Sequence, residues 1–303
     1  MSQSFKTFDI SSLNNTQIEA ILKSTVAPRP IALVSTVNKD GKVNLSPFSY
    51  FSFVSTTPPV LVFSPTLKEG GLEKNTLENL REVPELVINM VNYEIADKMY
   101  LTSGEYDKGV DEFVKAELTP EASSVVTPPS VLESPVSFEC KVDQIISLGD
   151  QEGAGNLVLA RILKINISES AMEPSDLPNS SKLDLVGRLG DDYYCKTTPE
   201  ALFELHKDYN NTTGIGIQSL SQSIRNSNIL SQKDLDMLAS SASLPDSQKI
   251  DRAMNQDEVK ELFLEFETER DMIKDGIHKL GKSLIAAGKT EDALATLMIV
   301  DQI

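Results

Sequence analysis

The sequence predicts a mainly β, antiparallel amino-terminal part with peripheral helices, followed by an all-α carboxy-terminal extension. Three observations predict it. Short apolar runs such as Ile31-Ala32-Leu33-Val34 and Val60-Leu61-Val62-Phe63 are too short for globular helices and rich in branched and aromatic residues, which favours strands. Phe138, Cys140 and Val142 alternate with Glu139, Lys141 and Asp143, the period-two pattern of a strand with one buried and one wet face. From Thr198 onward the alternation stops, and Val259, Phe263, Phe266, Ile273, Ile277, Leu280 and Leu284 fall on helical steps interrupted by Arg270. A chain of 303 residues has room for a substantial core and for two domains, expected at residues 1–197 and 198–303.

Taken in order, residues 14–23 form a short helix carrying Ile18, Ile21 and Leu22, and Pro28-Arg29-Pro30 gives an extended entry into the first strand. Asp40-Gly41 between two apolar runs is a hairpin signal, so a strand over 43–53 follows, and after Pro58-Pro59 another over 60–64. Asn75 or Thr76 is a cap for a helix with Leu77 and Leu80 that ends before Pro84. A strand over 86–91, a helix over 95–101 and a long acidic connection over 107–129 lead to an antiparallel pair at 136–148 and 156–167. Tyr193-Tyr194 closes the β-rich part. Thr198-Pro199-Glu200 caps a helix through about Tyr209, and short helical pieces occupy 217–224 and 232–239. A capping-box-like start at Asn255-Gln256-Asp257-Glu258 opens one long helix that Gly288 ends, and Thr290 starts the last.

Composition excludes several functions. A net charge of −17 and a pI near 4.6 argue against nucleic acid, whose phosphates would be repelled. No charged-then-apolar leader and no apolar run near the ~20 residues of a bilayer span are present, so no membrane partner is expected and the cytoplasm is the expected compartment. Cys140 and Cys195, with only His206 and His278 to help, do not make a zinc site, and a disulfide is unexpected in a reducing compartment. No metal is therefore expected. Gly276 to Ser283 matches the GxxxxGK[ST] phosphate loop letter for letter, but that loop requires a preceding strand and a helix start after it. Here helix precedes it and the apolar stripe runs through it. Gly214-Ile215-Gly216 lacks the third glycine and the β-α-β unit of a dinucleotide fingerprint. No general acid–base or nucleophilic set stands out, so no catalytic side chain is assigned.

The polar content of residues 27–65 is unusual for the core of a sheet. Ser35, Thr36, Asn44, Ser46, Ser49 and Ser52 offer neutral hydrogen-bonding groups suited to a planar, polar-edged ligand, although serines in strands also satisfy local backbone groups. Lys74 beside a helix start adds a charge to unpaired N–H groups. Residues 1–81 carry a net +2, against −12 for 82–199 and −7 for 200–303, so the cationic part of an acidic chain is this one.

Here a resemblance becomes specific. PRPIALVST, NLSPFSYFSFVSTTPPVLVFS, Lys74-Asn75-Thr76-Leu77-Glu78-Asn79, Leu101-Thr102-Ser103, Gly109-Val110-Asp111-Glu112-Phe113 and Arg188-Leu189-Gly190 before Tyr193-Tyr194 resemble, in order and spacing, the FMN-binding split-barrel family of flavin reductases. That family includes flavoredoxin and the reductase components of two-component monooxygenases. The chain departs from many relatives at Leu33, where they carry Trp, and at Asn75, where they carry Asp.

The resemblance implies a Greek-key, antiparallel split barrel, FMN as cofactor, NAD(P)H as co-substrate, a homodimer and a partner oxygenase. The protein's task is then to bind flavin, leave one face open to nicotinamide and tune the ring with neutral hydrogen bonds. Ser35, Thr36, Asn44, Ser46, Pro47, Phe48 and Ser49 are assigned to the ring and ribityl. Ser64, Lys74, Asn75 and Thr76 are assigned nearer the phosphate, with Arg29 as a second phosphate candidate. Two other functions stay open: an FMN-bound electron carrier, and an interaction protein whose helical tail binds a partner. The resemblance does not reach that tail.

Overall fold

The computed structural model describes residues 4–203 and 214–303. Contacts cluster into two units, Met1–Phe203 and Glu204–Ile303.

The first unit begins with helix α1 (Asn15–Thr25), started by a capping box in which Asn14 and Gln17 satisfy each other's backbone N–H groups. The strands follow as β1 (Arg29–Pro30), β2 (Ala32–Val37), β3 (Val43–Phe48), β4 (Phe51–Thr56) and β5 (Pro59–Phe63). Helix α2 (Asn75–Glu82), strand β6 (Glu85–Met90) and helices α3 (Ala96–Leu101) and α4 (Glu112–Lys115) come next. After the short β7 (Pro120–Glu121) and β8 (Ser130–Val131), the long pair β9 (Val136–Ser147) and β10 (Asn156–Ile167) precedes α5 (Ser180–Leu183), β11 (Val186–Arg188) and β12 (Tyr194–Lys196).

Seven strands form one sheet in the order β3-β2-β6-β9-β10-β5-β4, with every pairing antiparallel. The two outermost strands, β3 and β4, are consecutive in the chain and joined only by Ser49 and Tyr50. A two-residue link spans only ~10 Å, so the sheet must curl until its ends meet. The strand expected over 43–53 is therefore two strands at opposite ends of the sheet. Its alternation reads through the turn because Ser49 and Tyr50 carry no glycine or proline to mark it. Strand β2 lies between β3 and β6 with a core on each face. Ala32 and Val34 pack with Leu77 and Leu80 of α2, while Ile31 and Leu33 pack with Ile95, Met99 and Phe113. The Asp40-Gly41 hairpin forms as expected, with Gly41 at φ +77° and Asn38 Oδ1 accepting from the Asp40 and Lys42 amides. The connection over 107–129 is not structureless, since it holds α4 and β7. Both cysteines are free, Cys140 buried and Cys195 half-buried.

The second unit is helical: α6 (Gln222–Arg225), α7 (Gln232–Ala239), α8 (Ser247–Met254), α9 (Asp257–Phe266), α10 (Arg270–Ala286) and α11 (Thr290–Leu297). The single long helix expected from residue 255 to Gly288 is instead two. The chain breaks at Glu267, which takes a positive φ of +40°, and the seven-residue step from Phe266 to Ile273 hides this break. Helix α8, capped by Asp246, was not expected, and its Ile250 and Ala253 pack with Val259, Ile273 and Ile277. The phosphate-loop look-alike lies inside α10, where interior N–H groups are spent on the helix. Gly281 serves packing, because a Cβ there would stand 2.6 Å from Leu297. At Thr198, the expected helix is a short 3-10 turn, Pro199–Ala201; its continuation to Tyr209, and His206, lie outside the described residues. Among the described residues no helix is long and apolar enough to cross a membrane.

Candidate active site

The turn between β3 and β4 forms one wall of a trough, because the curl of the sheet brings it against the start of α2. Three adjoining cavities make up the trough. One of about 260 Å³ is lined by Lys23, Pro47, Phe48, Ser49, Tyr50, Ser64, Thr66 and Lys74. One of about 270 Å³ shares Lys23, Pro47, Phe48 and Ser49 and adds Met99, Tyr100, Ser103, Arg188 and Tyr194. The third, a narrow polar end of about 40 Å³, is lined by Asn44, Ser46, Lys68, Lys74, Asn75, Thr76, Ser103, Glu105, Tyr106 and Glu112.

Chemistry changes along this trough. Its middle has proline, phenylalanine and tyrosine surfaces edged by serine hydroxyls, a fit to a flat ring with polar rims. Its narrow end holds Lys74 at the start of α2 and Lys68 from the preceding loop, together with the acids Glu105 and Glu112. The expected side-chain cap at Asn75 or Thr76 does not form: the cap position is Lys74, and no side chain bonds the first-turn N–H groups. The Leu77 amide turns back to the Lys74 carbonyl at 2.9 Å, so the Asn75 and Thr76 amides and the positive end of the helix dipole are left for an anion. Burial pushes the Lys74 ammonium below its ordinary range, the nearby Glu105 carboxylate opposing it in part and the neighbouring Lys68 and Lys23 charges adding to it.

Thr76 spends its hydroxyl elsewhere. It donates to Asn44 Oδ1 at 2.8 Å, and Asn44 Nδ2 donates to Glu112 Oε1 at 2.6 Å. Glu112 Oε2 accepts the Leu45 amide at 3.0 Å. This chain of three buried side chains ties β3 to α2 and α4. Burial pushes the Glu112 carboxyl up, opposed by its hydrogen bonds to Leu45 and Asn44.

Of the residues assigned from sequence, the structure gathers Asn44, Ser46, Pro47, Phe48, Ser49, Ser64, Lys74, Asn75 and Thr76 around the trough. Three are not brought there. Ser35 is fully buried and donates to the Pro129 carbonyl. Thr36, also fully buried, accepts from Asn79 Nδ2 at 3.1 Å. Arg29 is buried and its guanidinium bonds the carbonyls of Lys23, Val26 and Leu189, holding the end of α1 against the strand region after β11. Ser35 and Thr36 bond backbone or core partners, and Arg29 spends its terminal nitrogens on backbone carbonyls while its buried Nε has no partner, because β1 and β2 lie inside the unit rather than at its rim. Conversely, Lys68, Tyr100, Glu112, Arg188 and Tyr194 line the trough without having been assigned. Glu112, Arg188 and Tyr194 sat in stretches that carried the family likeness, and that was their available signal.

Comparison with known proteins agrees with this geometry. A family model described as a flavin reductase like domain matches residues 24–180, more than half of the chain. An uncharacterised protein of Aquifex aeolicus is 35% identical over 193 residues, 64% of this chain and 96% of its own length. Among solved structures, nitrilotriacetate monooxygenase component B from Bacillus cereus superposes with a TM-score of 0.64 at 27% identity, over 67% of this chain and 100% of that one. A Shewanella frigidimarina flavin reductase with a split barrel domain superposes at 0.58 with 24% identity, over 68% of this chain and 100% of that one, which shows the fold. The mainly antiparallel sheet with its helical extension is thus a split barrel plus a carboxy-terminal helical region. The family model over residues 24–180, the split-barrel fold and a trough whose middle suits a flat ring and whose end suits an anion converge on one statement: the chain belongs to the flavin reductase-like family.

Proposed function

We propose that the chain is an FMN-dependent reductase that takes hydride from NAD(P)H. One observation carries this reading: the side-chain-uncapped start of α2, flanked by Lys68 and Lys74, opens at one end of a trough whose other walls are aromatic and hydroxyl-bearing. Bound FMN would supply the hydride-accepting N5 position; the chain's own residues bind, orient and shield. Lys74, Asn75 and the first-turn N–H groups of α2 would take the phosphate, with Ser64 beside them. Asn44, Ser46 and Thr76 would meet the ribityl hydroxyls. Pro47, Phe48 and Ser49 would face the ring. Thr76 Oγ already donates to Asn44, so it has lone pairs to offer and suits a ligand hydroxyl better than a phosphate oxygen. Ser35, Thr36 and Arg29 act one step back, as the packing that holds these walls.

The same reading includes a homodimer. Strand β4 leaves Phe53 70% and Val54 55% exposed at a sheet end, apolar surface that a second copy would bury. A partner oxygenase would consume the reduced flavin. Residues 198–303 are proposed to fold as a separate helical module, and a truncation at Thr198 that kept fold, dimer and turnover would support that.

Two measurements test the proposal. The absorbance spectrum of the purified protein, with released flavin identified, checks the cofactor. Stopped-flow mixing of FMN-loaded protein with NADH and NADPH checks the reaction: bleaching of the flavin band is expected, and a band that persists would leave an FMN-bound electron carrier instead.

A further inference from the structure

Beyond the trough, α3 and the strands β11 and β12 enclose another cavity, of about 490 Å³. Tyr100, Arg188 and Tyr194 stand in the wall it shares with the 270 Å³ part of the trough. Its remaining walls include Tyr93, Cys195 and Lys196. Three tyrosines, with 59% (Tyr93), 57% (Tyr100) and 36% (Tyr194) of their surface exposed, present aromatic area around one concavity.

The cations are held on those rings. Lys196 Nζ sits 3.8 Å from the Tyr93 ring centroid, and Arg188 Cζ 4.4 Å from that of Tyr194. Acids face them loosely: Lys196 meets Asp184 at 3.6 Å, and Arg188 meets a fully exposed Asp192 at 3.6 Å, while one terminal nitrogen of Arg188 donates to the Asp191 carbonyl at 2.5 Å and leaves the rest of the guanidinium for a ligand. Exposed pairs of that length are weak and yield to a better-placed acceptor. Asp97 and Asp192 both stand in the wall and add an opposing field. A chain of net charge −17 repels free anions over most of its surface, so a pair of positioned cations in a concave aromatic wall is where an anion is accepted.

We propose that this cavity is a binding subsite for a planar aromatic carboxylate, its ring against the tyrosines and its carboxylate on Arg188 and Lys196. A guanidinium pairs with a carboxylate through two parallel hydrogen bonds, and each cation lies directly on a ring, as a charge bonded to the ligand ring requires. A dinucleotide, which holds its phosphates a ribose away from its rings, matches this spacing less well. The assignment stands apart from the flavin reading, although the shared wall would set such a ligand beside the trough.

The test is calorimetric titration of the full chain with 2-naphthoate and with neutral 2-naphthamide, with and without FMN. The acid is expected to bind at least tenfold more tightly than the amide. Lys196→Met, whose position does not line the trough, should erase most of that preference and leave FMN affinity within about twofold. Tyr93→Leu should weaken acid and amide alike. Equal affinity for acid and amide would overturn the proposal. So would a preference untouched by Lys196→Met, or competition with FMN that places the probe in the trough. Displacement of 2-naphthoate by NADPH at lower concentrations than by benzoate would assign the cavity to the dinucleotide and overturn it as well. If FMN itself fails to bind, the function proposed above falls while the naphthoate result is read unchanged.

Discussion

Replacing Glu112 tests the network that shapes the narrow end of the trough. Its carboxylate accepts from Asn44 Nδ2 at 2.6 Å and from the Leu45 amide at 3.0 Å, and Glu112, Asn44 and Leu45 are 4%, 7% and 0% exposed. Alanine leaves both donors buried without an acceptor. At about 1–3 kcal/mol for each stranded donor, Glu112→Ala should cost roughly 4 kcal/mol. Glu112→Gln keeps the shape and one acceptor, and it removes the burial of a charge, so it should cost about 1 kcal/mol or less. Urea unfolding of the two variants, with hydrogen exchange at the Leu45 amide as a local probe, separates them. The pH dependence gives a second check. Burial raises the Glu112 carboxyl above its ordinary 4.5, so the folded chain holds this proton more tightly than the unfolded one. That stabilisation is complete below the unfolded value and is lost as pH rises through the folded one. The glutamine variant should therefore gain on the wild type as pH rises above 4.5, until the folded-state carboxyl has ionised. An alanine variant that loses less than about 1 kcal/mol, or a glutamine variant that loses as much as alanine, would refute the network argument.

Other predictions follow from single observations. Lys74→Met should weaken FMN binding by about 10- to 100-fold and riboflavin binding by much less, measured by fluorescence quenching, because a charge-assisted phosphate contact is worth ~1.5–3 kcal/mol. Since burial lowers the Lys74 ammonium from 10.5, raising the pH should begin to weaken FMN binding before pH 10.5 is reached, as the lysine loses its proton, and Lys74→Arg should flatten the profile. Gly281→Ala forces a Cβ to 2.6 Å from Leu297, so thermal unfolding of the helical unit should show a loss of about 1–3 kcal/mol. The Cys140 thiol is pushed up to about 12 by burial, so a thiol reagent at pH 8 should label half-buried Cys195 first and Cys140 only on unfolding.

Much of the molecule was legible in the sequence because its causes are local. Asn14 and Gln17 form their cap within one turn of chain, Gly41 takes the positive φ that its hairpin needs, and the alternation holds in β9 from Cys140 to Asp143, although Glu139, expected on the wet face, is buried where Ser124, Val125 and Asn166 bond its carboxylate. The helix break at Glu267 and the strand break at Ser49 were hidden because apolar spacing continues across both.

The candidate site divides along the same line. Sequence by itself determined that serines, threonines and asparagines crowd residues 27–65 and that a lysine precedes a helix start, since these are matters of composition and order. Only the tertiary structure decided which of those groups face a ligand. Ser35 and Ser46 are alike on paper, yet β2 is enclosed between β3 and β6, where Pro129 takes the Ser35 hydroxyl, while β3 ends the sheet and turns Ser46 to the trough. A side chain's freedom to bind depends on what the fold packs over it. For Ser35 that partner lies 94 residues away along the chain, beyond the reach of any local pattern.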